Sequence, residues 1–275
     1  MRKGLKKLVK YVTLFLWLGV VFYPLLIILF GSFMTHSEFS TTAGLGLPAS
    51  FLNVSNYQQA FIEGKMLRGF GVTFLLLLFG VSGSVVIGSM VAYVLNRFNF
   101  KFKKLILGAY FLVSMVPMTV SQIATFKLMI GLNLYNTIWA PIVLYLGADV
   151  VMIYIYLQAL EKIPVEFDKA AILEGASYLT IYRQVIFPLM KPATATVVML
   201  KVMSIYNDFY LPYLYMPGEK LNTISTTIYR FVGPNQTQWE VICACIIISM
   251  IPMVVLYIFL QKYIFSGLTA GGVKG

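Results

Sequence analysis

Charge is scarce in this chain. Lysine, arginine, aspartate and glutamate make up 11% of its 275 residues, against about 25% in a soluble domain, which excludes a soluble globular protein. Acids are scarcer than bases, ten against 21, and the net charge is +11. In a membrane protein such basic residues are topology signals and do not imply nucleic acid. Histidine occurs once, at His36, leaving no room for a histidine-based metal cluster. The two cysteines, Cys243 and Cys245, stand two apart in an apolar block. They project from different sides of a helix and read as core thiols, not as a disulfide or metal pair. Strict apolar–polar alternation is absent, which excludes a β-barrel. No G-x-x-x-x-G-K-S/T phosphate loop occurs, so the chain cannot hydrolyse ATP by that route. No span carries a nucleophile–base or metal-ligand constellation, which argues against a membrane enzyme.

What the chain has is apolar length. With 59% hydrophobic residues, it offers several blocks long enough to cross a hydrocarbon core as helices, which takes about 20 residues each. The expected spans are 11–33, 67–95, 105–130 (broken by Pro117), 137–160, 193–214 and 239–265. The first block is longer than a signal-peptide core and lacks a convincing cleavage site, so it reads as a retained span. The second is dense in Gly80, Ser82, Gly83, Ser84, Gly88 and Ser89, which suits close helix packing in lipid. Alternating the loops puts the basic residues of Met1 to Lys10 and of Arg97 to Lys104, with Lys162, Lys169, Arg183, Lys191, Lys262 and Lys274, on one side. The other side receives Lys65, Arg68, Lys127, Lys220 and Arg230. The positive-inside rule makes the first side cytoplasmic. The expected fold is an all-α polytopic membrane protein: one domain, 1–275, six transmembrane helices, both termini inside.

Between the fourth and fifth spans lies a polar stretch, 161–192, on which the rest is organised. It is too charged to sit in hydrocarbon, yet its apolar residues are patterned. Phe167, Ala170, Ala171 and Glu174 recur at helical spacing. Pro164 sits where a first-turn proline is tolerated, and Glu166 and Asp168 follow where the helix dipole favours acids. Gly175 allows a bend. Ile181, Val185, Ile186 and Leu189 suggest a second short helix, closed by Pro188 and Pro192. A plain surface loop would satisfy the polarity. The small residues Ala170, Ala171, Gly175 and Ala176 favour a docking helix pair, because they let a partner's backbone approach.

This stretch resembles the EAA motif of permease subunits of binding-protein-dependent ABC importers. That pattern runs E-A-A, three residues, G, nine residues, I-x-L-P. Here it stands as Lys169-Ala170-Ala171, Gly175 and Val185-Ile186-Phe187-Pro188. Lys169 replaces the usual glutamate, with Glu166 and Asp168 keeping acid nearby. The surrounding sequence is similar to the carbohydrate-uptake, MalG-like branch. So are Asn56-Tyr57 with Ala60-Phe61, Ala92-Tyr93 with Arg97-Phe98, Tyr206-Asn207-Asp208-Phe209 with Pro212, and the tail from Gly267 to Gly275. The second span departs, with Thr73 and no asparagine at its opening.

The resemblance implies a permease in a bacterial plasma or inner membrane. It implies a second, MalF-like permease, an ATPase dimer that takes the coupling helix and holds ATP and Mg, and an extracytoplasmic binding protein that delivers a sugar. Coupling would fall to Glu166, Asp168, Lys169, Ala170, Ala171, Glu174, Gly175, Ala176 and Pro188. This chain itself would bind no cofactor or metal. The loop Tyr215 to Gln238 resembles one that enters the binding protein.

Asp149, Lys201 and Asp208 lie inside expected spans, where charge is costly and functional by default. Counted from the cytoplasmic ends, Asp149 stands about 16 Å deep and Lys201 about 12 Å deep at 1.5 Å per residue. The two are expected either to pair or to face separate watery sites. Asn207 and Asp208 either line a solute path or hold packing and gating contacts. Tyr206, Tyr210, Tyr213 and Tyr215 either stack sugars or form an interfacial belt. Alternatives to a sugar permease are an ABC permease for another solute and an ion-coupled carrier using Asp149 and Asp208. No inverted repeat supports the carrier.

Overall fold

Long apolar runs interrupted by polar stretches give helices with breaks between them, and the computed structural model shows where each break falls. It describes residues 2–42, 44–147, 149–233 and 237–272, without the side chains of 2–5, 118, 260 and 262–272. Among the described residues there is no strand. The helices, in chain order, are α1 (Arg2–Gly31), α2 (His36–Thr41), α3 (Ser55–Ile62), α4 (Met66–Arg97), α5 (Lys103–Ser114), α6 (Met118–Gly131), α7 (Trp139–Tyr145) and α8 (Val150–Glu161). Then come α9 (Glu166–Leu173), α10 (Tyr178–Ile181), a π-turn (Tyr182–Ile186), α11 (Phe187–Leu189), α12 (Lys191–Asn207), α13 (Tyr210–Tyr215), α14 (Ile224–Ile228) and α15 (Trp239–Gly272).

Three helical stretches are long and apolar enough to cross a membrane: Lys6–Gly31, Met66–Arg97 and Trp239–Phe259. Three bent pairs also qualify, which brings the number to six if each is one span. The α5–α6 pair bends by 102° at Pro117, whose ring cannot continue a helix. The α7–α8 pair bends by 44° where the sequence had suggested an unbroken fourth span. The third pair joins Tyr178–Leu189 to Lys191–Asn207 at 80°.

The expected fifth span, 193–214, needs correcting at both ends. Helix continues upstream of Ala193, because Pro188 and Pro192 each occupy the first turn of a helix instead of closing one. Downstream it ends at Asn207, and Asp208 starts a new turn. The sixth helix runs on through Gly267 and Thr269 to Gly272. Lys274 and Gly275 of the tail, and Asn235 and Gln236 of the loop before α15, lie outside the described residues.

The chain forms two compact units. One comprises Met1–Phe70 and Ile224–Val254, the other Gly71–Thr223 and Val255–Gly275. In the first, the end of α1 is tied down by Asn56, whose Nδ2 donates to the carbonyls of Ser32 (3.0 Å) and Met34 (2.7 Å). Thr35 and Glu38 cap α2 reciprocally. Hydrogen bonds from the Thr35 backbone and hydroxyl and from the Ala49 N–H hold the Glu38 carboxyl below its usual range. His36 Nδ1 lies 3.1 Å from Glu240 Oε1. Cys243 and Cys245 are free, buried thiols. Helix α1 leaves Phe15, Leu16 and Trp17 each about two-thirds exposed, the pattern of a helix solvated by lipid.

The second unit holds the larger core, in which Leu76, Tyr156, Leu160, Ile181, Ile186, Met190 and Tyr215 are buried. Gly80 lets α4 approach α7 and α12. A Cβ there would lie 3.0 Å from Ile205 Cδ1 and 3.1 Å from Tyr145 Cβ. Gly80→Leu should therefore overpack this contact and cost about 1–3 kcal/mol. The thermal midpoint of the detergent-solubilised protein should fall, and an unchanged midpoint would show that the helices separate freely. The turn before α7 is fixed by Asn136, whose N–H donates to the Tyr215 carbonyl (2.9 Å) and whose Oδ1 accepts from the Gly218 N–H (2.9 Å).

Candidate functional site

The polar stretch folds as two helices set at an angle around Gly175. Helix α9 begins after Pro164 and ends at Glu174, and Gly175 adopts φ +80°. That left-handed value is open to glycine and strained for other residues. Ser177 then caps α10, its Oγ accepting from the Thr180 N–H at 3.2 Å. Glu166, Lys169, Ala170, Glu174 and Gly175 are exposed, and Ala171, Ala176 and Pro188 are half-buried. The four residues that recur at helical spacing divide between two environments. Asp168 is buried and Ala171 packs against the core, while Phe167, Ala170 and Glu174 point away. The exposed side carries Phe167 (48%), Ile172 (45%) and Leu173 (89%).

Asp168 is what holds α9 in place. Its Oδ2 lies 3.1 Å from Arg97 Nε as an ion pair, and its Oδ1 accepts the Tyr93 hydroxyl at 3.2 Å. The guanidinium reaches further. Arg97 Nη2 donates to the Ile163 carbonyl at 2.8 Å, and Nη1 approaches the Leu160 carbonyl at 3.5 Å. One arginine thus joins the end of α4, the end of α8 and the first turn of α9. The planar fork of arginine, with five donors, suits this task where a lysine would not. Behind it, Tyr182 of the π-turn shares a 2.7 Å hydrogen bond with Ser89 of α4. Tyr93 packs against Tyr182 at 5.6 Å.

A second cluster lies at the breaks of the fourth and fifth candidate spans. Lys201 Nζ and Asp149 Oδ2 form an ion pair at 2.9 Å, so the two side chains that sequence depth had matched do meet. Asp149 is not within a helix, however. It caps α8, its Oδ1 accepting the Met152 N–H at 2.8 Å. Lys201 also approaches the Gly147 carbonyl at 3.4 Å, so it covers a backbone acceptor freed by the break. Asp208 plays a matching part. Its Oδ2 accepts the Tyr145 hydroxyl at 2.8 Å and its Oδ1 accepts the Leu211 N–H at 3.1 Å. Asn207 is exposed and donates to the Met203 carbonyl at 2.9 Å. Of the four tyrosines, Tyr206 and Tyr215 are buried, and Tyr210 and Tyr213 are exposed.

Sequence reasoning treated Arg97 as a topology signal and Tyr93 as part of a resemblance. Tyr145 and Tyr182 were not singled out. A span-end arginine followed 71 residues later by an acid carries no local pattern. Among the described residues, no group of three His, Cys, Asp or Glu could hold a metal ion.

Comparison with known proteins places this arrangement. The family described as binding-protein-dependent transport system inner membrane component matches residues 84–269. The probable starch degradation products transport system permease protein AmyC of Thermoanaerobacterium thermosulfurigenes is 30% identical over 94% of this chain and 92% of its own. The melibiose/raffinose/stachyose import permease protein MelC of Bacillus subtilis is 27% identical over 92% of each. A chain in the crystal structure of a bacterial ABC transporter involved in import of the acidic polysaccharide alginate superimposes with a TM-score of 0.84 at 20% identity, covering 96% of this chain and 98% of that one. At that identity the likeness speaks for the fold.

Proposed function

The chain belongs to the family of binding-protein-dependent transport system inner membrane components, and from that premise we propose that it forms half of the pathway of a sugar or oligosaccharide importer. It is a permease subunit of an ABC transporter and not an enzyme, and ATP is hydrolysed by a separate subunit. The names of its relatives support a saccharide as cargo. In this reading the chain is one permease domain of six spans in a bacterial inner membrane, with both termini and the α9–α10 pair in the cytoplasm. A second permease completes the pathway, a binding protein delivers the sugar from outside, and an ATPase dimer carrying ATP and Mg docks on α9.

The observation that carries the proposal is the α9 anchor. Arg97 and Tyr93 hold Asp168 from within the second unit, while Phe167, Ile172 and Leu173 stay exposed around the helix. A short helix fixed at Asp168 with exposed apolar side chains suits transmission of movement from a docked partner to α4.

The test is a solubilised pull-down of wild type and Gly175→Asp. A side chain at φ +80° costs about 1–2 kcal/mol and turns α9 away from α10. An ATPase should co-purify with wild type and be lost from the variant. If no ATPase accompanies intact wild-type complex, the docking assignment is wrong and an ion-coupled carrier becomes the better account.

A further inference from the structure

The Asp149 side chain is 50% exposed, although it sits at a break within a candidate span. Hydrocarbon is a poor environment for a carboxylate, and acids at this depth face water-filled cavities or protein. Its partner Lys201 is far more enclosed, at 15%. The acid is thus the more accessible member of the pair.

The carboxylate has capacity to spare. An ionised carboxylate offers about four acceptor sites, and the Met152 N–H and the Lys201 ammonium occupy two of them. Two cavities open on Asp149. One, of about 270 Å³, is walled by Met152, Ile155, Val197 and Leu200, with Lys201 and Ser204 as its other polar members. The other, of about 390 Å³, is lined by Ile106, Tyr110, Val113 and Ser114. Apolar walls with a few placed polar groups are the usual make-up of a small-molecule site. They match a saccharide, which presents C–H faces as well as hydroxyls.

We propose that Asp149, oriented by Lys201, is a saccharide-contact residue of the translocation path and selects neutral sugars over acidic ones. This rests on the sugar-permease reading. Vicinal hydroxyls of a neutral sugar donate to the unused carboxylate acceptors. The pair has no net charge, so such a sugar meets no uncompensated field. A uronate in the larger cavity, which Asp149 lines and Lys201 does not, meets the acid alone and is repelled.

The experiment uses the complete importer, with second permease, ATPase and binding protein, in lipid vesicles. Uptake of labelled raffinose, maltotriose and trigalacturonate is measured together with ATP hydrolysed. Wild type should take up at least one neutral trisaccharide and exclude trigalacturonate. Asp149→Asn should lower sugar moved per ATP at least tenfold. The exchanged pair, Asp149→Lys with Lys201→Asp, restores the ion pair but presents the cation. It should fail to recover neutral uptake and should admit trigalacturonate. If the exchanged pair recovers wild-type uptake per ATP, the two residues only brace the break and the proposal falls. Unchanged uptake per ATP in Asp149→Asn, or preferential uptake of trigalacturonate by wild type, also overturns it. Wild type that moves a non-saccharide solute with ATP and no saccharide refutes the sugar reading first, and the selection with it.

Discussion

Arg97→Ala should uncouple the importer. Asp168 would be left buried with a tyrosine hydroxyl as its remaining support, and breaking a buried ion pair from one side costs about 3–5 kcal/mol. The Leu160 and Ile163 carbonyls would lose the guanidinium at the same time. Since about 1.4 kcal/mol is a factor of ten, the ordered position of α9 should become at least a hundredfold less populated. ATP-driven uptake in vesicles should fall accordingly, while the protein still inserts. Asp168→Asn, which removes the charge and keeps an acceptor for Tyr93, should lose less. Wild-type uptake in Asp168→Asn would mean that the charge pair is not what holds the helix.

Leu173→Asp should separate docking from folding. Leu173 is 89% exposed at the end of α9, so replacing it leaves no cavity. Any effect must then arise against a partner. Losing an interface anchor typically costs about 2 kcal/mol or more, so the ATPase should bind at least thirtyfold more weakly. Titrating purified ATPase onto the nanodisc-embedded permease complex would measure this, with the thermal midpoint of the complex's membrane part unchanged. Binding at wild-type strength would place the ATPase contact elsewhere on the stretch.

Much of this architecture was legible because lipid imposes strong patterns. Long apolar runs, the charged stretch between them, the break at Pro117 and the bend at Gly175 each follow from one local rule. The breaks at Asp149 and Asp208 did not. Both residues read as charges within continuous helices, because apolar composition does not register a helix that stops and restarts within one span. Their capping roles depend on backbone geometry: each side chain accepts an N–H three residues on. Which side of α9 turns inward was open for a related reason. Alanines at helical spacing suit either side of a helix, and only Arg97, far away in sequence, decides that Asp168 turns inward.

The π-turn at Tyr182–Ile186 has a consequence for how this protein tolerates change in length. A π-turn holds one residue more than the α-helical turn it replaces, and each residue of an α-helix advances the chain by about 100° of rotation. The bearing of α9 relative to α12 is therefore a matter of phase, set by a residue count between Tyr178 and Leu189. The Ser89–Tyr182 bond locks one setting of that phase, as a key locks a shaft in a gear. Between α9 and α12 the number of residues therefore carries structural information of its own.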